Sequence, residues 1–218
     1  MTKNNSKSFF KIGFIFLAAL LLQQTASAYQ TIGETAELLP PGFYKLGLQP
    51  QLVVSEGGGL NVGAYFDTYL MESVNGRIEI GGGKTDFWAT GSVKWVPIPD
   101  VDRQPAIGLR GAVTTARDDD ASFFNIQIAP IISKKADTRY GEMIPFVAIP
   151  ITFVSASKDL DSNGKGYTAS QFAIGAEWFQ DKTINYGAEF DLNMSHTQSS
   201  ISAFISFPFD GNTGFKKK

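Results

Sequence analysis

The side chains able to do chemistry in this sequence are few. There is one histidine, His196, and no cysteine. Without thiols there is no disulfide framework, no thiolate metal site and no lipid-modified cysteine behind a signal. A single imidazole also removes any histidine-rich metal site. Ser195 precedes His196, but neighbouring side chains of a strand point to opposite faces, so the two are not expected to form a nucleophile–base pair. His196 reads as a solvated loop residue, and the chain is expected not to be an enzyme. The run Asp159-Leu160-Asp161-Ser162-Asn163-Gly164 matches the first half of a calcium loop. Its alternating oxygens, from Asp159, Asp161 and Asn163, could wrap a hard cation. Ser170 stands where the bidentate Glu belongs and no helix pattern flanks it, so a hairpin loop with Asx turns is favoured over calcium. Gly81-Gly82-Gly83-Lys84-Thr85 lacks the first glycine of a phosphate loop, which falls at Ile78. It is a hairpin tip, with no cofactor expected.

A second set of charged residues sits in mid-segment: Lys45, Arg77, Lys94 and Arg110 against Asp67, Glu79, Glu177, Glu189 and Asp191. The bases lie early in the chain and three of the acids late. The elements that carry them alternate strictly. Ile184, Tyr186, Ala188, Phe190, Leu192 and Met194 fall on one face, Asn185, Gly187, Glu189, Asp191 and Asn193 on the other. That is the period of a strand with two unlike faces. About ten such segments run from Phe43 onward, separated by turn-rich breaks, and no helix-period segment interrupts them. Eight strands would result if Arg77 to Val96 were not a hairpin. Met143 to Val154 is apolar on both faces, which leaves its register open.

The first residues stand apart. Lys3, Lys7 and Lys11 precede an apolar run from Ile12 to Leu22, and Ala26-Ser27-Ala28 forms a small-x-small site. Residues 1–28 are expected to be a signal peptide cleaved after Ala28, the apolar run being too short for a stop-transfer helix. The net charge of −2 becomes −5 once those three lysines are removed. With no basic cluster beyond Lys216-Lys217-Lys218, a nucleic-acid partner is not expected. Residues 29–41 form an N-terminal periplasmic arm or plug of unreadable role. Residues 42–209 form the strand region and 210–218 a C-terminal periplasmic tail.

An exported strand region with charge on one face only is the apolar-out, polar-in pattern of an antiparallel barrel facing lipid. Strand parity, with the N-terminus on the periplasmic side, sorts the aromatic residues into two girdles. Tyr44, Trp95, Trp178, Tyr186, Phe207 and Phe209 fall at one end, and Phe87, Phe124, Phe153 and Phe172 at the other. The strand Ser200 to Phe209, closing Ser206-Phe207-Pro208-Phe209, resembles the terminal signature of Gram-negative outer-membrane barrels. It departs from that signature in the tail beyond Phe209. The resemblance implies the bacterial outer membrane as location, lipid as surroundings and the barrel assembly machinery as a partner. Side chains nearly fill a barrel of this size, so the nine charges are expected to pair across a plugged lumen. A structural or surface-interaction role follows. A narrow channel for ions or small solutes is the alternative, and a barrel-embedded hydrolase the third reading.

Overall fold

The computed structural model describes residues 31–55, 58–139, 141–158, 166–181, 183–212 and 214–215. The segment expected as a signal and the candidate calcium residues Asp159, Asp161 and Asn163 lie outside them. The described chain is all-β. Its strands are β1 (Phe43–Val53), β2 (Gly59–Met71), β3 (Val74–Gly83), β4 (Phe87–Ile98), β5 (Ala106–Asp118) and β6 (Ala121–Ser133). A short β7 (Ala136–Thr138) follows, then β8 (Gly141–Ala148), β9 (Ile151–Ala156), β10 (Gly166–Asp181), β11 (Ile184–Ser195) and β12 (Ser200–Asp210).

Each strand pairs antiparallel with its neighbour, and β12 returns to pair with β1 from Phe43↔Asp210 to Val53↔Ser200, which closes the sheet. β8 and β9 are two halves of one stave, both lying between β6 and β10. Pro150 has no N–H to donate and interrupts the stave there. With β7 a hairpin appended to β8, the closed barrel has ten staves. Closure removes the exposed edges that an open sheet would leave.

The alternation read from the sequence decides which side chains face outward. Leu46, Leu48, Leu52, Ile78, Ile80, Val93, Leu109, Val113, Ile126, Ile128, Phe190 and Leu192 are all exposed. Their strand neighbours are buried: β5 and β6 alternate inside and outside along nearly their whole length. Apolar side chains outside and charged ones inside is the reverse of a protein built for water. At the rim where β1 begins and β12 ends, Tyr44, Phe66 and Phe209 form a three-ring cluster, Tyr44 lying 5.7 and 5.5 Å from the other two and those 6.4 Å apart, and Phe215 packs on Phe209 at 4.7 Å. The same rim is tied by Asp100, which accepts from Lys134 Nζ and the Lys135 amide. Burial opposes ionisation of Asp100, but these contacts hold its carboxyl below the usual range.

Placing Ile126→Arg in this band tests the outward face. Ile126 lies mid-strand and 44% exposed. If lipid covers it, arginine there costs about 2–4 kcal/mol. Unfolding from lipid bilayers should then shift well below the parent, and an unchanged profile would count against lipid contact.

Candidate functional site: the occupied lumen

The interior holds more than strand side chains. Thr31, Ile32, Glu34, Thr35 and Ala36 are all buried, against β-strand residues far along the chain. Residues 31–36 of the segment expected as a periplasmic arm or plug thus lie inside the barrel, while Pro40 and Pro41 are exposed at its rim. Two signals explain why. Its apolar residues Ile32, Ala36 and Leu38 pack with Val96, Ile131, Phe146, Ala148 and Phe204 of the wall. Phe146 and Ala148 belong to the stave whose two faces are both apolar, and this arm is what the inner face meets.

The polar contacts are denser. The Ile32 and Gly33 amides donate to the two Glu189 carboxylate oxygens at 2.8 and 2.6 Å. From the opposite side, Arg77 Nη1 donates to the carbonyls of Ile32 and Gly33 at 3.3 and 3.0 Å. One turn of arm backbone is therefore held between a carboxylate and a guanidinium. Gly33 has φ +57°, and a Cβ there would meet the Gln49 amide at 2.3 Å. Only glycine takes this conformation against so close a neighbour at no steric cost. Gln49 also donates to Thr31 Oγ1 at 2.7 Å, and the Ala36 amide to Ser133 Oγ at 3.1 Å.

All nine charges singled out in the sequence face this interior, eight of them buried and Lys45 partly so. Two pairs form directly between them. Arg77 grips Asp67 through Nε and Nη2 at 2.6 and 2.9 Å, and lies 4.1 Å from the Tyr65 ring centre. Lys45 meets Glu177 at 2.7 Å, a strand-to-strand pair that joins an early base to a late acid. Lys94 and Arg110 instead meet Glu34 of the arm, each at 2.9 Å. Lys94 also donates to the Thr35 carbonyl at 2.6 Å, and Arg110 to Gln127. Asp191 accepts from Ser200 at 2.7 Å. Burying these charges would be costly if they were unpaired, so the arm completes the wall electrostatically.

Toward the opposite rim a second apolar cluster fills the interior: Trp88, Ala116, Phe123, Val154, Ala156 and Ala169, with Tyr167 against it. Between the arm and the rim where β1 begins and β12 ends is a cavity of about 300 Å³ that reaches Glu34, Arg77 and Lys94.

Ser195 and His196 correct the sequence reading. Ser195 Oγ and His196 Nδ1 are hydrogen-bonded at 2.7 Å. His196 lies just past β11 with φ +52°, so strand alternation ends before it and its ring turns back. The His196 ring centre is 6.2 Å from that of Tyr167. Gly81, Gly82 and Gly83 are the last paired residues of β3 rather than the hairpin tip, which falls to Lys84, Thr85 and Asp86, and Gly81 lies under the Trp88 ring. The residues that sequence reasoning missed are Ile32, Gly33, Glu34 and Ala36. Glu34 was visible as an acid in an apolar arm, but nothing in its spacing named a partner.

No family model matches the chain, and neither does any curated protein. Solved structures similar to it include LpxR from Salmonella typhimurium, at 9% identity over 76% of this chain and 99% of that one, with TM-score 0.40. The translocator domain of autotransporter NalP from Neisseria meningitidis has 10% identity over 94% and 97%, with TM-score 0.37. A bacterial polysaccharide outer membrane secretin has 12% identity over 76% of this chain, which spans 65% of the secretin chain, with TM-score 0.39. At these identities and scores the barrel rests on its own strand pairing, and no activity follows from the likeness.

Proposed function

We propose that the chain is a bacterial outer-membrane barrel closed from within by its own N-terminal segment, with a structural or surface-interaction role. The observation that carries this reading is the arm, bound through backbone and side chain to both walls of the lumen. The apolar exterior supports the membrane location, since only closed barrels and helices satisfy their backbone in lipid. No helix among the described residues is long and apolar enough to cross a membrane. The terminal strand through Phe209 supports the barrel assembly machinery as the partner that inserts it. The rim where β1 begins and β12 ends is then periplasmic.

Conductance in planar bilayers tests the closed lumen. The refolded chain from Tyr29 to Lys218 should insert without discrete steps; steps from this chain would overturn the reading. The second reading, a narrow channel, is favoured by the cavity of about 300 Å³ at the periplasmic end. The third, a hydrolase, has only the Ser195–His196 contact to support it.

A further inference from the structure

Lys94 and Arg110 are direct cross-strand partners on β4 and β5, both turned inward and nearly sealed from solvent. Like charges in that relation repel, and the repulsion grows as water is removed. A sheet does not place two cations side by side in its interior without an anion to hold between them. Here that anion is a carboxylate on two methylenes, the Glu34 side chain, 2.9 Å from each cation. Gln127 braces the guanidinium from β6. The Arg110 Nε–H and the facing Glu34 oxygen approach closely but are not aligned as a hydrogen bond. The cavity on the periplasmic side reaches both Glu34 and Lys94, so the site has a route to solvent.

We propose that Lys94 and Arg110 form a carboxylate-binding site in the wall, occupied here by Glu34 in cis and able to take a small soluble monocarboxylate when that side chain is gone. This rests on the arm lying in the lumen. The occupant need not be covalently attached, because the two cations recognise charge and the planar oxygen pair, not the backbone behind them. Arg77 lies close by but is already committed to Asp67 and to the arm carbonyls, so it is not counted in the site.

Glu34→Ala in the whole chain tests this, because it leaves the arm in place and, with the β-carbon retained, a vacancy the shape of acetate. Thermal unfolding in detergent is followed with sodium acetate as probe, and with acetamide and sodium chloride as controls. At ten times its Kd, acetate should raise the folded-to-unfolded ratio of Glu34→Ala about tenfold. It should do so neither in the parent nor in Glu34→Ala with Arg110→Gln, and acetamide should have no effect. Should Glu34→Ala not refold alone, the refolding yield with and without acetate is the readout. If acetate does no more than acetamide or chloride, the carboxylate site is overturned. Bilayer silence of the parent would still support the plug, so the two failures are separable.

Discussion

Replacing Arg77 by alanine is expected to lower barrel stability more than any other single change in the lumen. The side chain makes two charge-assisted bonds to Asp67, two to arm carbonyls, and a ring contact with Tyr65. Its loss strands the Asp67 carboxylate in a buried position. Removing one partner of a buried pair costs about 3–5 kcal/mol, most of it from the charge left behind. The check is the temperature at which the folded barrel, identified by gel mobility, is lost. Arg77→Lys should recover little, because an ammonium cannot grip a carboxylate in a fork while reaching two carbonyls. Pairing Arg77→Ala with Asp67→Asn should recover part of the loss. A midpoint equal to the parent's would mean that the arm and the Asp67 pair contribute nothing.

The second large effect is expected at Glu189, which is fully buried and receives two arm amides. Hydrogen bonds to charged groups are worth about 1.5–3 kcal/mol each, so Glu189→Ala should weaken arm docking by a few kcal/mol. Asp191 lies two residues on, on the same face, and accepts from Ser200. The arm carries its own reporter, because a glutamate-specific protease can cut after Glu34 and Glu37 once they leave the lumen. If cleavage follows local opening, its rate should rise about a hundredfold or more in Glu189→Ala. Glu189→Gln, which keeps an acceptor oxygen, should fall between. Equal cleavage of parent and variant would show that Glu189 does not hold the arm. Arg77 and Glu189 act on the same two residues of backbone, so their effects should not add.

Much of this architecture was legible in the residues themselves. Period-two alternation between Phe43 and Phe209 named most of the strands and their inner faces and gave a count of about ten, with eight left open, because neighbouring side chains of a strand must point to opposite sides. Lys45, Glu177, Arg77 and Asp67 could be placed inside on that ground alone. Antiparallel order followed from short turns. Met143 to Val154 stayed open because alternation cannot orient a strand that is apolar on both faces; the arm packed against its inner side explains the second apolar face.

His196 is a loop residue as read, but its contact with Ser195 was excluded for a local reason: the alternation rule stops where the backbone turns left-handed, one residue past the strand. The arm is a different kind of case. Ile32 to Ala36 has no periodicity, and its partners lie at Ser133 and Glu189, 97 and 157 residues away. Contacts at such separation exist only once the sheet has closed. The amino-acid sequence by itself determined a strand-built chain with an apolar outer face and a charged inner one. Tertiary structure alone decided that the charges left over by the wall, Lys94, Arg110 and Glu189, would be met by the N-terminal segment. A backbone outside any helix or sheet offers amides and carbonyls to any wall that matches them, and only closure brings a matching wall to it.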